Sequence, residues 1–85
     1  MKKNEKGYAC PCCGFLTLSE SSRGTFEICP VCYWEDDNVQ FNNPTLQGGA
    51  NQESLQEAQQ NFKKIGAISM RYKKDVRPPL PDEIP

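Results

Sequence analysis

The strongest constraint on this chain is a cysteine framework, Cys10-Pro11-Cys12-Cys13-Gly14 followed by Cys29-Pro30-Val31-Cys32. Cys10, Cys13, Cys29 and Cys32 read C-x2-C-x15-C-x2-C, the spacing of a four-thiolate metal site. Two residues between cysteines let one tight turn aim both sulfurs at a single ion, with Zn–S near ~2.3 Å. Pro11 and Pro30 fix φ at the start of each turn. Gly14 accepts the positive φ that frees a backbone N–H to face a sulfur. The matching position after Cys32 is Tyr33, for which that conformation costs more. The second turn is therefore expected to be less symmetric, with Tyr33 or Trp34 covering the metal. Four protein ligands leave no place for water, so the site is expected to be structural zinc. An iron site takes the same four ligands; the short hairpin expected between the pairs favours a zinc ribbon.

The fifth thiol, Cys12, is left over inside the first pair. Beside a metal site it is a candidate redox thiol or exchange ligand. A catalytic cysteine needs an activating base, and the chain has no histidine. That excludes a cysteine–histidine hydrolase within this chain and points away from an enzyme.

At 85 residues the chain is expected to form one domain, small enough to need a staple. Five of its apolar residues are cysteines, so the true hydrophobic core is thinner than the 36% composition suggests. No apolar run follows Met1-Lys2-Lys3, and no stretch approaches a membrane span. A cytoplasmic, reducing setting is expected, in which thiols bind metal more readily than they pair. The formal charge is −1, and four thiolates around one Zn²⁺ make the particle two charges more negative. A general nucleic-acid binder carries the opposite balance.

Residues 1–7 read as a loose arm and 8–41 as a ribbon. In it, Phe15-Leu16-Thr17-Leu18 and Thr25-Phe26-Glu27-Ile28 are expected to pair as a hairpin across the turn-forming Ser19–Gly24 cluster, which brings the cysteine pairs together. Asn38-Val39-Gln40-Phe41 is read as a third strand, with Val39 and Phe41 on one face. Gly48-Gly49 predicts a turn or a close backbone contact. Residues 51–66 predict the one amphipathic helix: Asn51 as N-cap, Leu55, Ala58, Phe62 and Ile65 on one face packed on the ribbon, Lys63-Lys64 in the last turn and Gly66 at the C-cap. From 73 to 85 the prolines predict an extended tail laid along the body. The fold class is thus small α+β, metal-stabilised and zinc-ribbon-like.

Tyr33-Trp34-Glu35-Asp36-Asp37 is the candidate interaction segment: three consecutive carboxylates rarely converge on one ion and are expected to be solvated or to meet a partner, with Trp34 as a lid on the metal, as core or as a recognition anchor. The leading functional expectation is a zinc-stabilised protein-interaction module with no catalytic activity of its own, an inhibitory, immunity-type or regulatory partner of another protein. One alternative is a nucleic-acid-binding zinc ribbon that gathers Lys63, Lys64, Arg71, Lys73 and Lys74 into a basic patch. Another is a redox or metal-responsive switch at Cys12.

The two cysteine segments, Ala9 to Leu18 and Phe26 to Asp37, together resemble the bacterial cysteine-rich CPCC family. Gly48-Gly49-Ala50-Asn51, Ser54-Leu55, Glu57-Ala58, Asn61-Phe62, Gly66-Ala67 and Val76-Arg77-Pro78-Pro79 are similar to that family's later segments. The resemblance runs from about Ala9 to Pro79 without departure at the cysteines, and implies a small bacterial cysteine-rich domain.

Overall fold

The structure, a computed structural model, describes residues 7–85. All of the expected arm except Gly7 therefore lies outside the described residues. The chain forms β1 (Tyr8–Ala9), β2 (Leu16–Leu18), α1 (Asn38–Asn42) and α2 (Leu55–Ile65), then 3-10 helices at Met70–Asp75 and Pro81–Glu83. This is a small α+β fold built around a four-cysteine cluster.

The strand pairing differs from the expected hairpin. β1 pairs antiparallel with β2, Tyr8 opposite Leu18 and Ala9 opposite Leu16, so the first cysteine pair sits at the tip of its own hairpin. The approach is close: a Cβ on Gly7 would lie 2.7 Å from the carbonyl oxygens of Leu16 and Leu18. The second pair sits at the tip of another hairpin, in which Phe26 N–H donates to Asp36, Asp36 N–H to Glu27 and Cys29 N–H to Trp34, each at 2.9 Å. Phe15–Leu18 and Thr25–Ile28 share no backbone ladder. Side chains link them instead: the Thr17 hydroxyl reaches Cys29 Sγ at 3.0 Å, and Ser19 donates from N and Oγ to the Glu27 carboxylate. Each knuckle closes on itself through its own backbone bonds, Cys10 N–H to the Phe15 carbonyl and Cys29 N–H to the Trp34 carbonyl, so its two flanks are already paired with each other.

The expected third strand is also absent. Asn38–Phe41 lies in α1, because the Asp37 carboxylate caps it, accepting from Val39 and Gln40 N–H at 2.8 and 3.2 Å. A cap satisfies two orphan donors that alternation alone would leave open. Val39 and Phe41 consequently stay 51% and 40% exposed, and the buried residue is Gln40. Its amide nitrogen donates to the carbonyls of Leu46, Asn51 and Glu53, and its oxygen accepts from Asn51, organising the strandless stretch between the helices.

The N-cap of α2 lies three residues later than predicted, at Ser54. Ser54 and Glu57 form a reciprocal capping box, and Gly66 closes the helix in the left-handed region at φ 82°. Asn51, read as the cap, is buried and bridges both backbone groups of Glu35 at 2.9 Å. Leu55 and Ala58 are buried, and Phe62 meets Phe15 edge-on at 6.3 Å. The close contact expected at the paired glycines is present: a Cβ on Gly49 would lie 2.7 Å from Asp37 Oδ2 and Gln40 Cδ.

The tail follows the body, but it is not extended throughout 73–85. Met70–Asp75 is 3-10 helix, Arg77 N–H donates to the Pro30 carbonyl at 3.1 Å, and Pro81–Glu83 turns again beside β2. Arg77 clasps Glu83 through two 2.9 Å bonds. The core is the cysteine cluster itself with Leu18, Val31, Trp34, Leu55, Ala58 and Ile68. Among the described residues no helix is long and apolar enough to cross a membrane.

Candidate metal centre

Each knuckle is a tight turn closed by one backbone bond. Gly14 N–H donates to the Cys10 carbonyl and Tyr33 N–H to the Cys29 carbonyl, both at 2.8 Å. The φ values match as well, 81° at Gly14 and 78° at Tyr33, so the expected asymmetry of the second turn is not found. Tyr33 holds a conformation that favours glycine because its ring stacks on Tyr72, with centroids 4.4 Å apart. Tyr72 belongs to the 3-10 helix and carries the Arg71 guanidinium 4.6 Å from its ring.

These turns bring the sulfurs of Cys10, Cys13, Cys29 and Cys32 within 4.8 Å of one another. Cys10 and Cys32 are 3.6 Å apart, Cys13 and Cys29 3.7 Å. A regular tetrahedron with Zn–S of ~2.3 Å has an edge of about 3.8 Å. The cluster is therefore already close to the shape a tetrahedral ion requires. Cys10, Cys29 and Cys32 are buried and Cys13 is half-buried.

Donors face the sulfurs from the backbone and from Thr17. Val31 N–H points at Cys29 Sγ and Trp34 N–H at Cys32 Sγ, both at 3.4 Å, and the Thr17 hydroxyl at Cys29 Sγ. The Cys29 thiol is pushed far down, first by its contact with Cys10 and then by Cys13 and Cys32. The Cys10 thiol is pushed up, first by Cys13, and the Cys32 thiol up, first by Cys10. Physically, one thiolate forms readily and its neighbours then resist ionising beside it. A dication at the centre removes that conflict, since it binds all four as thiolates. The donor set, the edge lengths and the N–H groups turned toward sulfur all suit a metal ion such as zinc.

Cys12 is not one of the four. It is 8% exposed and packs in the core cluster.

The turns are also tied down from later in the sequence. Gln59 of α2 donates to the Pro11 carbonyl at 2.9 Å, Arg77 N–H to that of Pro30, and Ile68 N–H to that of Cys32. Sequence reasoning missed these contacts and Thr17. Gln59 carried a faint signal, as the residue flanking Ala58 at the edge of the apolar stripe; Thr17 and Arg77 carried none.

The expected exposed segment after Cys32 turns inward. Trp34 is fully buried as core; Tyr33 and Glu35 are half-buried. Asp36 is 0% exposed: its Oδ2 accepts from Thr25 N–H and Oγ1 at 3.1 and 2.9 Å, and its Oδ1 lies 3.3 Å from the Arg23 guanidinium. Asp37 caps α1 and accepts from Ala50 N–H, the largest of the bonds that hold its carboxyl below the usual range. The carboxylates of Asp36 and Asp37 are occupied within the fold. Of the expected basic set, Arg71 is held by Glu53 at 3.0 and 3.1 Å, while Lys63, Lys64, Lys73 and Lys74 are exposed.

Against known proteins, a search of curated sequences finds no match. The family model described as Cysteine-rich CPCC matches residues 8–83, which spans both knuckles, both helices and the tail clasp. With nearly its whole length matched, the chain belongs to the cysteine-rich CPCC family.

Proposed function

We propose that this protein is a zinc-stabilised, zinc-ribbon-like module that acts by binding another protein, in an inhibitory or regulatory role, and catalyses no reaction of its own. The observation that carries the reading is the closed geometry of the four sulfurs, with two opposite edges at 3.6 and 3.7 Å and three of the four ligands buried. A tetrathiolate zinc ion in that cluster has no open position for water or substrate, whereas catalytic zinc keeps one. Its contribution is folding free energy, on the order of 10–16 kcal/mol for structural sites. For a core with so few large apolar side chains, that is the dominant local term.

Cobalt substitution tests the closure. The Co²⁺ protein should show the ligand-field spectrum of a tetrahedral tetrathiolate, unchanged by cyanide or azide. A spectrum that shifts on adding either anion means an open coordination position and sinks the reading. Partner binding is then measured with purified components: the zinc-loaded protein should hold its partner and the chelated protein should release it.

A further inference from the structure

A groove of about 310 Å³ runs between the last turn of α2, the second knuckle and the tail. Its lining includes Val31, Phe62, Ile65, Val76 and Pro79, with Lys73 as its unpaired charge among the described residues. The chain's own spare aliphatic side chains do not fill it. Leu80 and Ile84 follow directly in the tail and remain about half exposed.

Unpaired lysines stand beside the groove. Lys63, Lys64, Lys73 and Lys74 are all exposed, and none pairs with a carboxylate among the described residues. The two arginines of the same stretch are spent, Arg71 on Glu53 and Arg77 on Glu83. Between residues 63 and 77 the one acidic side chain is Asp75. Lys73 lines the groove itself, and Lys63, Lys64 and Lys74 adjoin its lining residues Phe62, Ile65 and Lys73 in sequence.

We propose that this groove binds a short acidic amphipathic segment of a partner protein, seating one or two large apolar side chains between Phe62 and Val76 while flanking Asp or Glu residues meet Lys73 and the α2 lysines. The proposal rests on the interaction reading above and names the chemistry of its partner. Helix-flanked apolar grooves with charged rims are a recurrent mode of peptide recognition. The groove is a poorer match to nucleic acid: Phe62 is the single aromatic side chain of its lining, so it offers no run of aromatic faces for successive bases.

The test selects a phage-displayed library of random peptides on the zinc-loaded protein. Enriched peptides should combine Leu, Ile, Phe or Trp with Asp or Glu. A synthetic peptide of the enriched sequence should bind about tenfold more weakly to Lys73→Glu and to Val76→Ser, and its affinity should fall as salt rises. Both variants keep all the zinc ligands, and an unchanged cobalt spectrum confirms their folding. Enrichment of basic peptides, no enrichment, or affinity indifferent to both variants overturns the groove, as does displacement of the peptide by a short single-stranded oligonucleotide. Tight binding of a peptide copying residues 78–85 would assign the groove to a second copy of this chain and likewise overturn the proposal. None of these results touches the interaction reading, which stands or falls on the cobalt measurement and the partner's response to chelation.

Discussion

Replacing Tyr33 inverts the usual order of stability between alanine and glycine. Tyr33 sits at φ 78°, in the left-handed region, where a residue with a Cβ is disfavoured by roughly 1–2 kcal/mol. Its ring recovers part of that through the stack on Tyr72, a contact worth about 0.5–1.5 kcal/mol. Tyr33→Ala keeps the strain and loses the stack, so it should destabilise the fold by about 1–2 kcal/mol once lost packing is included. Tyr33→Gly loses the same stack but releases the strain, and should recover about 1 kcal/mol relative to alanine. Because metal binding and folding are coupled, the difference appears as apparent zinc affinity, about fivefold tighter for glycine than for alanine. Competition against a chromophoric chelator at fixed pH reads it directly. A cycle with Tyr72→Ala separates the contributions: the stack couples Tyr33 to Tyr72, whereas the backbone strain is indifferent to Tyr72. Alanine binding zinc as tightly as glycine would refute the strain assignment, and zero coupling to Tyr72 would refute the compensation.

Cys12→Ser should keep one zinc per chain by elemental analysis, whereas Cys13→Ser should lose zinc or hold it far more weakly, since only Cys13 belongs to the four-sulfur cluster. Thr17→Val removes the hydroxyl at Cys29 Sγ while keeping the side chain's shape, and should lower zinc affinity about fivefold, near 1 kcal/mol for one hydrogen bond. Arg23→Met leaves the Asp36 charge buried with its cation gone and should cost about 3 kcal/mol, more than the double change with Asp36→Asn, which removes the charge as well. If the double variant is the less stable in chelator competition, the buried charge is not what Arg23 offsets.

What the sequence made legible followed local chemistry. The ligand set was readable because C-x2-C is a backbone statement: two residues and a proline leave few ways to place two sulfurs. The α2 stripe and its Gly66 terminus were readable because helical periodicity and the left-handed cap are both local. The start of α2 was misread among several polar residues that can each cap. Asn51 qualified by type, but Ser54 also had a glutamate three residues on, and the reciprocal box decides between such candidates. The third strand failed in the same way: alternation at Val39 and Phe41 was outweighed by the Asp37 cap one turn upstream. Strand partners were the least legible, because two short apolar runs either side of a polar cluster look like a hairpin whether or not each knuckle has already closed its own.

The acidic segment after Cys32 shows why residue type alone does not fix exposure in a chain this small. A run of carboxylates is ordinarily solvated surface. Here the core is short of apolar volume, and much of the fold's order comes from the four-cysteine cluster and from side chains that answer backbone groups. Asp37 answers three N–H groups, Gln40 three carbonyls and Asn51 both groups of Glu35. Those roles need short carboxylate and amide side chains close to the knuckles, so the residues that look most available for a partner are recruited inward. Among the described residues, side chains with no such duty include the lysines of α2 and the 3-10 helix and the apolar lining of the groove. The groove proposed above takes its lining from such side chains, Phe62, Ile65, Lys73 and Val76, and not from the carboxylates and amides that answer backbone groups.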